Sequence, residues 1–174
     1  NIYEDAEFLL ESALLFDPNN AKIKYDYINI LTKRQKYGEA LFHAQNFYDE
    51  DPSNINAMKL LSTALFRTDR YKEAIKIYND ILELEPNNTD VMLSKGHLYK
   101  TSGELDKSIE SYKKAYQTDK YFGDSYWSLA NLKTYKFSDK EVESLDKMVN
   151  DVYVSEDERA FMHFALGKAY EDLN

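Results

Sequence analysis

The chain contains no cysteine, which excludes disulfides and thiolate metal centres. A cysteine-free composition suits a reducing compartment, so a cytoplasmic setting is expected. Three prolines and five glycines in 174 residues leave little material for turns, as helices joined by short loops require. The three histidines, His43, His97 and His163, stand far apart. No His-Glu-x-x-His pair places two imidazoles on one helix face, and the glycine-rich loops that cradle phosphates are missing. No stretch approaches the roughly 18 consecutive apolar residues of a membrane span. Basic charge is scarce: 22 Lys and Arg against 31 Asp and Glu give a net charge of −9. That argues against a nucleic-acid partner, because such binding rests on neutralising phosphates with Lys and Arg. What remains, 43% hydrophobic and 30% charged residues, is ordinary for a globular chain long enough to bury a core.

The scarce prolines carry the most information. Pro18, Pro52 and Pro86 are separated by 34 residues, and the same step relates Asn20, Asn54 and Asn88. It also relates Ala6, Ala40, Ala74 and Ser108, and it carries Tyr3 to Tyr37 and Tyr71, with Leu105 in the fourth turn. Within 55–88, Ala57, Met58, Leu61, Ala64 and Leu65 recur at helical spacing, as do Tyr71, Ala74, Ile75, Tyr78, Ile81 and Leu82. Thr68, Asp69 and Arg70 form the turn between these two helices. Pro86 stops the second, because the residue before a proline is pushed out of the helical region. Asn88 then stands where a side chain can cap the next helix. Fixed self-similarity of this length marks stacked helix pairs.

A 34-residue helix–turn–helix period resembles the tetratricopeptide repeat. In 89–122, Gly96, Tyr99, Ser108, Tyr112 and Ala115 fall at family positions 8, 11, 20, 24 and 27. The resemblance implies an all-α fold, a single array over 1–174 whose helix pairs stack in a right-handed superhelix, an α-solenoid. Residues 1–20 are expected to supply the second helix of a partial repeat. Full repeats cover 21–54, 55–88 and 89–122, a degenerate repeat 123–156, and the first helix of a truncated repeat 157–174. The chain is therefore expected to be a segment of a longer array. There are departures: Lys120 replaces the expected proline, Phe122 the cap asparagine, and Val142 the small residue at position 20. A second helix is predicted from Ser138 to about Asn150. Ser155-Glu156-Asp157-Glu158 reads as a capping box opening a last helix through Tyr170. Two stretches, Gly123 to Ser138 and His163 to Asp172, are similar to the repeat region of bacterial proteins in which tetratricopeptide repeats precede a sulfotransferase domain. That likeness implies a sulfotransferase domain further along a parent chain.

A solenoid of helix pairs offers a groove, and the resemblance places its lining on the first helix of each repeat. The candidate ligand-binding residues are Tyr25, Asn29 and Lys33; then Lys59, Thr63, Phe66 and Arg67; then His97 and Lys100; then Trp127 and Asn131. Exposed aromatics and arginine suit a protein or peptide partner. Trp127 is expected to be exposed. Lys33, Arg67 and Lys100 recur at position 12 or 13 and predict a basic row facing acidic residues of a ligand. Neither nucleic acid nor membrane is expected as a partner, and no catalytic, cofactor-binding or metal-binding residue is assigned. The carboxylate clamp of chaperone-binding repeats is not matched: its places hold Tyr25, Asn29, Leu60, Asp90 and Ser94 in one register. In the next they hold Lys59, Thr63, Ser94, Asp124 and Ser128. The competing class is structural, with the open ends of the array mediating self-association. An enzyme wholly within the chain is the least favoured reading.

Overall fold

Ten α-helices and no strand account for the regular structure among the described residues, Ile2–Leu173, in the computed structural model. They divide into two compact units between Leu84 and Glu85.

The first unit holds α1 (Ile2–Phe16), α2 (Ala21–Lys33), α3 (Tyr37–Glu50), α4 (Ile55–Arg67) and α5 (Tyr71–Leu84). Asn20 opens α2 by accepting the Lys22 and Ile23 N–H groups at 3.1 and 3.2 Å. Asn54 does the same for α4, accepting from Asn56 and Ala57 at 3.0 and 3.2 Å. These caps satisfy donors that a helix start leaves unpaired. Ala40 and Ala74 are fully buried, as are Ile28 and Ser62 on the facing helices. The turns inside the helix pairs share a backbone device: Gln35 and Asp69 both adopt φ of 60°, the left-handed conformation that reverses a chain within few residues. The carboxylate of Glu7, on α1, is buried against Arg34 at 2.7 Å and Lys36 at 2.8 Å. The Lys36 ammonium, with the Arg34 guanidinium beside it, holds that carboxyl below its ordinary range.

The second unit holds α6 (Thr89–Thr101), α7 (Leu105–Thr118), α8 (Gly123–Ala130), α9 (Asp139–Val149) and α10 (Glu156–Leu173). Asn88 caps α6 through the Val91 N–H at 3.1 Å. Gly103, with φ of 82°, occupies the turn position held by Gln35 and Asp69 in the first unit. Ser108 is fully buried and donates its hydroxyl to the Gly96 carbonyl at 2.9 Å, so the two small residues join α6 to α7. The Tyr112 ring, also fully buried, lies over Gly96.

The degenerate repeat departs from expectation. Helix α8 has eight residues and stops at Ala130. Leu132, Tyr135 and Phe137 follow it in irregular backbone and are buried in the core with Leu129, Val142, Leu145 and Met162. Ser138 then caps α9 in a reciprocal capping box with Glu141. Val142 is buried at the small-residue position. The expected capping box of α10 is only half formed. Ser155 Oγ accepts the Glu158 N–H at 3.3 Å, but the Glu158 carboxylate turns away to α8. There it accepts the N–H groups of Gly123 at 2.5 Å and Asp124 at 3.3 Å. The start of α8, where Phe122 provides no side-chain cap, is thus capped from another helix. Glu158→Ala is expected to cost about 1 kcal/mol, the ordinary loss for a removed N-cap acceptor. An unchanged urea midpoint would show that water replaces this carboxylate without loss.

Candidate functional site

The first helices of the pairs in unit 1, α2 and α4, are amphipathic. They bury Tyr27, Ile28 and Leu31, and Ala57, Met58, Leu61, Ala64 and Leu65, against their partner helices. Their other faces carry the candidate residues of this unit. Tyr25, Lys33 and Arg67 are exposed, whereas Asn29, Lys59, Thr63 and Phe66 are half-buried. Tyr25, Lys22, Asn54 and Asn56, with Phe47 beneath, line a cleft of about 400 Å³ at the starts of α2 and α4. Lys22 pairs loosely with Asp26 at 3.6 Å. Thr63 spends its hydroxyl proton on the Lys59 carbonyl at 2.8 Å, which leaves its oxygen lone pairs for an outside donor.

The two cations of the expected basic row in this unit are not simply solvated. Lys33 Nζ lies 6.0 Å from the centre of the Tyr3 ring, and the Arg67 guanidinium 5.9 Å from that of Tyr37. Both contacts reach back to the aromatic residue of the preceding repeat, so one cation–π contact recurs with the period. Arg67 also sits 5.8 Å from the Phe66 ring, which leans on Tyr71 at 5.9 Å. Each cation keeps an exposed edge while its aromatic support fixes its place.

Sequence reasoning missed a second cleft in the same unit. About 320 Å³ in volume, it is lined by Leu14, Tyr27, Ile28, His43 and Phe47 and closed by Lys24 and Glu50. Those two charges pair at 2.6 Å. The signal was present as two opposite charges on helices that pack together, but 26 residues of separation hid it. The His43 imidazole packs edge-on against Tyr27 at 5.1 Å and Phe42 at 5.2 Å. Burial pushes its pKa down, against the opposing charges of Glu39 and Glu11.

In unit 2, His97 is tied down rather than free. Its Nδ1 lies 2.8 Å from the Tyr112 hydroxyl, and the rings meet edge-on at 5.3 Å. Desolvation lowers the His97 pKa and raises that of Tyr112 to about 12. One edge of the imidazole stays exposed, as does Lys100. Trp127 corrects the expectation of exposure. It is half-buried, tilted against Phe164 of α10 with ring centres 5.3 Å apart. Asn131 is exposed but lies past the end of α8, as its C-cap, because the irregular segment begins there. His163, on α10, is exposed. Among the described residues no group of three or more His, Asp or Glu side chains is placed to hold a metal ion. Nor, among them, is any helix long and apolar enough to cross a membrane.

Comparison with known proteins agrees with this scaffold. Family profiles described as tetratricopeptide repeat match residues 31–98 and residues 89–121. Among curated proteins, the chain is 28% identical over 93 residues to a probable UDP-N-acetylglucosamine–peptide N-acetylglucosaminyltransferase SPINDLY of Hordeum vulgare. That match covers 53% of this chain and 10% of the relative. It is 27% identical over 110 residues to Hsp70-Hsp90 organizing protein 3 of Arabidopsis thaliana, covering 63% of this chain and 20% of the relative. The chain therefore corresponds to a small part of each of these larger proteins. Among solved structures, a thermophilic TPR protein of Thermus thermophilus superposes with a TM-score of 0.68 at 23% identity. The superposition covers 94% of this chain and 90% of that one, a likeness of fold.

Proposed function

The chain belongs to the tetratricopeptide repeat family, and we propose that it serves as a protein-interaction module holding an extended peptide or protein segment along the α2–α4 face of its first unit. The observation that carries this is the cleft beside Tyr25, where an exposed aromatic ring, two asparagines and a lysine converge without a catalytic grouping. Lys33 and Arg67, propped on Tyr3 and Tyr37, set the charge of the ligand: acidic side chains on the side that meets them. Such complementarity acts mainly on association rate and register, and it weakens with salt. His97 and Lys100 offer a similar mixed surface in the second unit.

The role of this chain is binding rather than catalysis. A sulfotransferase parent is supported only by the two stretches at 123–138 and 163–172, while the relatives named above are a probable glycosyltransferase and a co-chaperone. A chaperone C-terminus is a poor ligand, because Asp90 and Asp124 stand where a carboxylate clamp needs cations. A cytoplasmic setting rests on composition alone.

The test is a peptide-library selection on the wild-type chain, followed by affinity measurement for Tyr25→Ala and Lys22→Gln. The selected peptides should be rich in acidic residues, and each variant should bind them at least about tenfold more weakly. Circular dichroism should be unchanged, since neither side chain lies in the core. Equal affinity of both variants and the parent would place any binding elsewhere.

A further inference from the structure

The cleft that Lys24 and Glu50 close lies where the first full repeat breaks the pattern of the others. The 34-residue step carries Lys24 to Met58, Met92 and Tyr126. Those three are buried in the core. Of the four repeats, only the first places a lysine there. The same step carries His43 to Ile77 and Ser111, and Glu50 to Leu84 and Thr118. Three ionisable side chains thus replace uncharged ones, and all three line one cleft. A charge at a core position weakens a fold unless it is paired, and an apolar side chain of similar size is often as stable or more so. Stability therefore gives no reason for a lysine at this place. Local departures of this kind mark positions that serve something other than folding.

Every wall of the cleft comes from α1, α2, α3 and the turn between the first two, so no further repeat is needed to form it. Leu14, Ile28 and Phe47 give it an apolar lining. The Lys24 side chain is only 14% exposed, and its Nζ lies 5.9 Å from the centre of the Phe47 ring. Its partner differs: the Glu50 side chain is 54% exposed. The pair is lopsided, with the cation held in the wall and the carboxylate largely in water. Exposed ion pairs of this sort are weakly held, so Glu50 can turn outward at little cost. Glu11 and Glu39 act on His43 but do not line the cleft. A volume of about 320 Å³ stands at the small end of ligand sites, which run from roughly 300 to 1,000 Å³.

We infer that this cleft binds a small carboxylic acid with an apolar body. The ligand's carboxylate takes the place of Glu50 on Lys24, and its body lies against Leu14, Ile28 and Phe47. Mobility decides the sign of the ligand. A cation would have to draw Lys24 out of the wall, whereas an anion needs only the exposed Glu50 to move. An ammonium largely shielded from water also pairs with a carboxylate more strongly than a fully solvated lysine does. Two sources supply this chemistry: a free small acid, and the last residue of a peptide chain. The cleft shares only Phe47 with the one beside Tyr25, so the inference stands or falls independently of the proposed peptide groove.

Phenylacetate titrated into the isotope-labelled chain should move the amide NMR signals of residues 24–28 and 43–50 in a saturable way. Phenylacetamide, which keeps the shape and lacks the charge, should bind at least about tenfold more weakly. N-acetylphenylalanine presents its carboxylate as the end of a peptide does, so the tighter of the two acids names the source. Glu50→Gln removes the competing carboxylate and should tighten phenylacetate binding about threefold or more. Lys24→Met installs the residue of the next two repeats, so it should fold, and it should abolish saturable binding. Both variants should keep wild-type affinity for the peptides selected on the α2–α4 face. Absence of saturable shifts at these residues with both acids would overturn the inference. So would phenylacetamide binding as well as phenylacetate, binding that survives Lys24→Met, or binding that weakens in Glu50→Gln.

Discussion

Replacing Gly96 by leucine should lower stability by about 3 kcal/mol, the upper end of what overpacking a close contact costs. Its first added carbon would run into one edge of the Tyr112 ring, and that ring has little room to retreat because it is fully buried. Displacing it would also break the hydrogen bond to His97 and the Ser108–Gly96 contact that joins α6 to α7. Gly167→Leu provides the internal control. It makes the same chemical change on α10, where a new Cβ would meet nothing within 4 Å beyond its own turn of helix. There the better helix propensity of leucine should raise stability by up to about 1 kcal/mol. Urea midpoints measure both. Similar losses at the two glycines would mean that Tyr112 is not the cause.

The contrast between these glycines marks what was legible in the sequence. The period was legible because each repeat spends its few special residues on the same tasks. Proline stops a helix, asparagine caps the next, and Ala40, Ala74 and Ser108 sit where two backbones approach. The left-handed turn residues were not legible. Gln35, Asp69 and Gly103 share one backbone role, and only one of them is the residue that favours it. The early end of α8 was hidden for a different reason. Leu129, Leu132 and Tyr135 keep helical spacing, and no glycine or proline occurs between residues 124 and 166. Burial of Leu132, Tyr135 and Phe137 in one core overrides the local preference. That override removed Asn131 from its expected helix, while the approach of α10 covered part of Trp127. The candidate residues on α2 and α4 lie on the helices expected for them, because the period holds there without interruption.

The irregular segment is pinned by one carboxylate, and removing it should have the second large effect. Glu141 accepts hydrogen bonds from the Tyr135 hydroxyl at 2.7 Å, the Tyr116 hydroxyl at 3.1 Å and the Ser138 N–H at 2.9 Å. Lys113 Nζ stands 3.3 Å away and also lies over the Tyr135 ring. Burial works to raise the Glu141 pKa, but the hydrogen bonds from Tyr135, Ser138 and Tyr116 outweigh it and hold the carboxyl down at about 2. On the other side of the contact, burial pushes the Tyr116 hydroxyl up to about 12. Glu141→Ala strips acceptors from two partly buried tyrosines and half of a capping box. The expected loss is about 3 kcal/mol. The linkage with pH follows from the direction of the shift. A carboxyl whose folded pKa lies below the ordinary 4.5 contributes its full stabilisation above that value and loses it as pH falls towards about 2. With the side chain 23% exposed, solvent screening reduces this contribution to about 2 kcal/mol. Glu141→Gln keeps an acceptor for Ser138 and the tyrosines but removes the charge. Its stability deficit against the parent should therefore be constant above pH 4.5 and shrink towards pH 2. Parallel stability curves for parent and glutamine variant across that window would show that the Glu141 charge does not hold the segment.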